Sequence, residues 1–303
     1  MITGLTPTNQ QLLNSINNSQ ADLNRAQRQV SSGLRISRAS DDPQIVSDLF
    51  QVRSDLAQVT QVANNMSAVK GEVDTADAGL QNAVQLMEQA GVLAVQGSNT
   101  TMTASTRATL AQQVDGILQQ MVTVSRTQVN GAYIFGGDQT STPPYEFDST
   151  GVKQLTTAPS TRLIQDSSGL TFAVSKTAQE LFDARDSNGN VTPNNVFASL
   201  QALKTALLAN DPAAIQTAAA TITSAHDYLN NQASFYGAVQ NRVASALDLA
   251  QKFETQDQTR LSSVQDADVA AAALQITQDT THINAGLASA ARQITSSLFD
   301  YMK

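Results

Sequence analysis

The sequence contains no cysteine and no tryptophan, and it has two histidines. Without thiols there is no disulfide, no thiolate zinc site and no cysteine nucleophile. His226 and His282 leave imidazole chemistry thinly supplied. Charge is scarce too: Asp, Glu, Lys and Arg make up 15% of the 303 residues, against about 25% in an average globular protein. The charges sum to −8, so no basic surface large enough to neutralise a run of phosphates is expected, and nucleic acid is a poor partner. No run approaches the roughly 18 apolar residues of a membrane span. Met1–Pro7 has neither the basic nor the apolar region of a cleaved secretory signal. The expectation is a chain that contacts no membrane and that, if it leaves the cell, does so without a cleaved secretory signal.

What fills the composition is Ala, Gln, Asn, Ser and Thr, which suits helices with weakly charged outer faces. Apolar residues recur at 3-4 spacing, the mark of a helix–helix seam. The first seam is Leu5, Leu12, Ile16, Leu23, Ala26 and Val30, with Asn9 and Ser19 as polar interruptions. Ser31-Ser32-Gly33 closes it, since Gly serves just past a helix end. Asp42-Pro43 reads as the start of the next helix, with Asp as cap and Pro at the first helical position. One register then runs Ile45, Val52, Val59, Met66, Val73, Leu80, Met87, joined by Leu49, Leu56, Ala63 and Val84. Such a helix would be on the order of 80 Å long and would need partner helices. Gly97–Thr101 breaks the pattern, and Leu110, Val114, Ile117, Met121 and Val124 return it as an antiparallel hairpin.

From Asn130 to about Asn195, Pro, Gly and aromatics rise and short apolar runs replace the heptads. Candidate strands are Ala132–Phe135, Tyr145–Phe147, Lys153–Thr156, Arg162–Gln165 and Leu170–Val174. Helical periodicity resumes at Val196, Leu200, Leu203 and Leu207, breaks at Asn210-Asp211-Pro212, and continues through Ile215, Ile222, Leu229, Tyr236 and Val243. A final seam is Val269, Ala273, Ile276, Thr280, Ile283, Leu287, Ala290 and Ile294. Asp266-Ala267-Asp268 leaves open whether this is a separate helix or the bent end of the previous one. The fold class is thus mainly α: an elongated antiparallel coiled-coil rod with a small, mostly β domain inserted between its arms. The expected organisation is a terminal helix in 1–41, a rod arm in 42–129, the insert in 130–195, the second arm in 196–264 and a terminal helix in 265–303. Neither end stripe has anything local to bury against: pairing with each other, with the rod or with other subunits would satisfy them, and the favoured expectation is that the ends order only on assembly.

Sites for chemistry are not found. Ser67-Ala68-Val69-Lys70 has the Ser-x-x-Lys spacing but lies mid-helix without its companion motifs. Gly131 and Gly136 have the opening spacing of a phosphate loop, yet Gly137 stands where Lys belongs, so the glycines read as shaping the way into the insert. Asp186-Ser187-Asn188-Gly189-Asn190 resembles a calcium loop, but Gly is at the fourth position and Phe197 replaces the bidentate Glu. His226 and His282 have no second ligand at helical spacing. No enzyme, cofactor or metal is expected.

Ser31-Ser32-Gly33-Leu34-Arg35-Ile36-Ser37-Arg38-Ala39-Ser40-Asp41-Asp42-Pro43 is similar to the N-terminal signature of bacterial flagellins. Leu93-Ala94-Val95-Gln96 before a polar break, and the pairing of apolar stripes at both ends, resemble that superfamily as well. Asn130–Gly137 and the ending Ser297–Lys303 look like the family members found at the hook–filament junction. The resemblance implies an extracellular structural adaptor of the flagellum, exported through the flagellar type III apparatus. It would form a ring between another hook-associated junction protein and flagellin, with a cytoplasmic chaperone on its C-terminal region before export. The alternative is a minor or short flagellin. Flagellins sensed by the innate immune receptor carry an Arg-Glu pair where Gly91 and Val92 stand, so that recognition is not implied. The residues expected to carry assembly are Leu5, Leu12, Ile16, Leu23, Val30, Arg35 and Asp41 at one end. At the other they are Ile276, Ile283, Leu287, Ile294 and Leu298.

Overall fold

The computed structural model describes residues 7–149, 151–158 and 160–299, with side chains over 10–291. The chain is mainly helical: α1 (Pro7–Ser32), α2 (Val46–Ser98), α3 (Ala104–Ser125), α4 (Ala178–Phe182), α5 (Val196–Leu208), α6 (Pro212–Gln265) and α7 (Val269–Phe299). Six short strands lie between α3 and α4: β1 (Gln128–Val129), β2 (Ala132–Tyr133), β3 (Tyr145–Asp148), β4 (Gly151–Gln154), β5 (Leu163–Gln165) and β6 (Thr171–Ala173). Two compact units result. Unit 1 joins Met1–Gln58 to Phe253–Lys303, and unit 2 is Val59–Lys252.

Unit 2 holds a core built from the periodic residues. Met66, Val73, Leu80 and Met87 on α2, Leu110, Val114, Ile117 and Met121 on α3, and Val196, Leu200, Leu203 and Leu207 on α5 are all buried. Each such side chain contributes roughly 1.5–3 kcal/mol by leaving water. A Cβ at Gly79 would touch Val124, and one at Gly97 would touch Leu110, so α2 and α3 run antiparallel. Lys70 and Asp77, which fall at the seven-residue spacing between Ala63 and Val84, stay out of the core; Lys70 is exposed and pairs with Asp74 at 2.7 Å.

The strands form three separate antiparallel hairpins, β1–β2, β3–β4 and β5–β6. The first differs from the sequence reading, which began it at Ala132. Asn130 and Gly131 both have positive φ, +53° and +80°, the two-residue turn that pairs Val129 with Ala132. A second difference is α4, where the sequence reading placed no element. Its start is a capping box: Glu180 N donates to Thr177 Oγ1 at 3.2 Å, and Thr177 N donates to Glu180 Oε2 at 2.8 Å.

Two helix boundaries also resolve. α2 begins at Val46 rather than Pro43, because the Asp42 carboxylate is turned toward Arg35 at 3.4 Å and residues 43–45 form a turn. α6 ends at Gln265 and α7 begins at Val269, so the Asp266 segment is a true break.

Candidate assembly surface

In unit 1, α1 and α7 pack against each other. The more buried residues of α1 are Leu12, Ile16, Ser19, Leu23 and Ala26, and those of α7 are Ala272, Ile276, Asp279, Ile283, Gly286 and Ala290. The pair is antiparallel: a Cβ at Gly286 would meet Ile16 at 3.1 Å and Leu12 at 3.9 Å, while at the other end Ala267 N donates to Gly33 O at 2.9 Å. Gly286 thus lets the two backbones approach where a larger residue would hold them apart.

The structure therefore brings Leu12, Ile16 and Leu23 onto the same helix pair as Ile276 and Ile283, on its inner side. It leaves Val30 exposed, and Leu287 54% exposed. A two-helix pair covers one side of each helix, so the rest of a wide apolar stripe faces outward. Leu13 (45%) and Leu274 (60%) add to that outward set, and Val269 is exposed beside them. Reading only the 3-4 seam passed over Leu13 and Leu274; their signal is the apolar residue directly beside a seam position. Leu5 lies outside the described residues. Ile294 and Leu298 lie on α7 beyond the described side chains.

Charge on this pair is sparse. α1 carries Asp22, Arg25 and Arg28, and α7 carries Asp279 and Arg292. Asp279 is buried, and Gln275 Nε2 donates to both its oxygens at 3.0 Å. An outer face with exposed Leu and Val and few charges can be covered by another helix without stranding ions.

The segment after α1 is a clasp. Arg35 N donates to Gln265 O at 2.7 Å, and Arg35 Nη2 donates to Val264 O at 2.6 Å. Leu34 and Asp266 form an antiparallel bridge, with Ile36 and Gln265 buried alongside. Gly33 makes the turn at φ +71°, a conformation that favours glycine at a helix C-terminus. Asp41 is spent on its own turn. Its carboxylate accepts from Arg38 N (2.8 Å), Ser37 N (3.0 Å) and Ser37 Oγ (3.2 Å). The Arg38 and Ser37 amides hold it below the usual carboxylate range. Arg35 and Asp41 thus serve the chain's own joint in this structure.

Residues weighed for chemistry are placed in structural roles. The Asp186 carboxylate accepts from Asn188 N and Asn190 N at 2.9 and 2.8 Å, closing its own turn around Gly189. The Asn190 and Asn188 amides hold its pKa down. His226 sits on α6 with Nε2 3.7 Å from Glu88 and Nδ1 3.2 Å from Asp227. Gly136 and Gly137 sit at a tight corner, where a Cβ on Gly137 would lie 2.6 Å from Ser160 O.

The chain is similar to known proteins. Residues 6–140 match the bacterial flagellin N-terminal helical region. Flagellar hook-associated protein 3 of Escherichia coli strain K12 is 29% identical over 73% of this chain and 72% of its own length. The protein of that name in Salmonella typhimurium is 28% identical over 70% of this chain and 69% of its own. Among solved structures, flagellar hook associated protein-3 from Legionella pneumophila has a TM-score of 0.60 at 16% identity, covering 71% of this chain and 98% of that one. The flagellar junction protein FlgL from the same organism has a TM-score of 0.54 at 16% identity, covering 65% and 99%. At these identities what is shared with the solved structures is the fold. The resemblance read from the sequence is borne out: residues 6–140 match the flagellin N-terminal helical region, and the chain is similar to hook-associated proteins of the flagellum.

Proposed function

We propose that this chain is a structural adaptor of the bacterial flagellum, joining the hook to the flagellin filament. The observation that carries the reading is the α1/α7 pair, which leaves Leu13, Val30, Leu274 and Leu287 exposed among few charges. Its relatives of both names, hook-associated protein 3 and flagellin, support the same reading. The terminal helices would enter a shared lattice with neighbouring copies, flagellin on one side and another hook-associated protein on the other. An export chaperone would hold the C-terminal region beforehand, and the assembled protein would be extracellular. The role is structural and needs no cofactor.

Deletion of the gene tests this, with hooks and filaments scored by electron microscopy and flagellin assayed in the medium. Bare hooks with flagellin shed as monomer are expected. Normal filaments would overturn the adaptor reading and leave a minor flagellin as the account.

A further inference from the structure

Within unit 2 the helix α3 stops short of the far end of α2. Val124, one residue before the end of α3, reaches α2 at Gly79, where a Cβ would lie 3.7 Å away. Residues 69–76 of α2 therefore continue past the end of α3. They are nevertheless covered: Val69, Val73 and Ala76 are buried, and no residue from Glu72 to Asp77 is exposed. On α6, Val239 and Val243 are buried as well. A pair of helices covers one side of each, so a third layer must be present at this level.

That layer is the β5–β6 hairpin. Phe172 and Val174 are buried in the same apolar cluster as Val69, Val73, Val239 and Val243. Two cations fasten the hairpin, one to each long helix. Arg162, directly before β5, forms an ion pair with Glu72 of α2. The Arg242 guanidinium of α6 lies 4.0 Å from the centre of the Phe172 ring. Just beyond β6, Lys176 N donates to Tyr236 Oη at 3.0 Å. The helices touch here through Gln240 Nε2, which donates to Asp74 Oδ1 at 3.1 Å.

Neither side of this contact is self-sufficient. The hairpin has three residue pairs, Leu163 with Ala173 to Gln165 with Thr171, and an isolated two-stranded ribbon is marginal in water. The helix stretches beyond α3 lack any other third layer, and apolar side chains without cover give little support. Parts that support only each other open together.

We propose that β5–β6 is a latch, closed by Arg162 and Arg242, that sets how far the rigid part of unit 2 extends along α2 and α6. Closed, it holds the two helices as a three-layer body beyond the end of α3. Released, the hairpin and the stretches 69–76 and 236–243 open as one, and the core around α3 and α5 stays shut. The Arg162–Glu72 pair is partly in solvent, so salt loosens the latch. The proposal rests on unit 2 alone and stands whether or not the flagellar reading holds.

Hydrogen exchange on the full purified chain tests it. Glu72→Gln and Arg242→Ala should each speed exchange about threefold in 162–174, 69–76 and 236–243 together. Segments 110–124 and 196–207 should not change. Exchanging the charges, with Glu72→Arg and Arg162→Glu in one chain, should restore the wild-type rates, and Arg242→Lys should stay near them. Added salt should open the three segments in the wild type and have less effect in Glu72→Gln. Faster exchange in the hairpin alone would show that it rests on the helices without holding them, and would overturn the proposal. Unchanged rates in both single variants would do the same, as would faster exchange at 110–124. Failure of the charge exchange to restore protection would remove Arg162 as a fastening, since lost packing would then account for the effect.

Discussion

Tyr145 Oη donates a hydrogen bond to Asp183 Oδ2 at 3.1 Å, with both side chains shut away from solvent. The same carboxylate accepts from Asn195 Nδ2 at 2.6 Å and pairs with Arg185 at 3.0 Å. Asn195 in turn caps α5, its Oδ1 accepting from Ala198 N at 2.9 Å. Tyr145 also packs on Phe197, ring centres 5.0 Å apart, and Phe197 stacks on Phe182. One buried carboxylate therefore fastens β3, the loop after α4 and the start of α5 to a shared aromatic cluster.

Asp183→Ala strands three donors around one site. Arg185 is partly exposed, so water can re-solvate its share of the loss. The expected cost is about 3 kcal/mol, whereas Tyr145→Phe, which removes one neutral donor, should cost about 1 kcal/mol. Urea unfolding followed by near-UV circular dichroism reads both. Equal costs for the two would show that the carboxylate is not the hub.

Alkaline pH should act on the same cluster. Burial pushes the Tyr145 phenol well above its ordinary value, and the neighbouring Asp183 charge adds to the shift. Burial also raises Tyr236, whose Oη accepts from Lys176 N at 3.0 Å. A raised folded-state pKa favours the protonated form, so this contribution is complete below the unfolded phenol value of about 10 and is lost as pH rises beyond it. The urea midpoint should hold from neutral pH to about 9 and fall above about 10. Tyr145→Phe should make that fall shallower. An unchanged slope in the variant would remove Tyr145 from the account.

Much of this was legible in the sequence because the signals were local and periodic. The α3 and α5 seams are buried at every residue named for them, and the Asn130–Asn195 interval does carry the hairpins. What the sequence did not disclose depends on distant partners. Arg35 reads as a surface charge beside Asp41 and Asp42 until Val264 and Gln265 arrive from the far end of the chain. Asp183 likewise carries no motif; its partners come from 38 residues before it and 12 after it. Gly286 looks like a helix weakness, and only the approach of Ile16 explains it. Leu13, Leu274 and Leu287 belong to stripes wider than one neighbour can cover, and periodicity does not say how many neighbours there are.

Arg107 is buried, and among the described residues no carboxylate pairs with it. Its Nε donates to Gly97 O at 2.8 Å, one Nη to Asn99 O at 2.9 Å, and the other to Asn210 Oδ1. The fork ties the end of α2 to the turn between α5 and α6. A lysine keeps the charge but cannot reach three acceptors in one plane. Arg107→Lys should therefore cost about 2 kcal/mol and raise amide exchange at 97–103 and 209–212 together. A variant as stable as wild type would show the fork to be dispensable.

The outward face of the α1/α7 pair makes the last prediction. Leu13 and Leu287 are already half in water, so replacing either with Glu leaves folding stability within about 0.5 kcal/mol. In a lattice the same carboxylate would be buried without a partner, which costs several kcal/mol at each repeated contact. Leu13→Glu and Leu287→Glu should melt like wild type yet fail to restore filaments to a deletion strain, with flagellin again shed into the medium. Leu163→Glu is the matched control, since Leu163 is equally exposed but lies in unit 2 on β5. Filaments restored by all three variants would mean that this face stays in solvent. Loss with Leu163→Glu as well would remove the claim that the terminal helices are the part of the surface on which assembly depends.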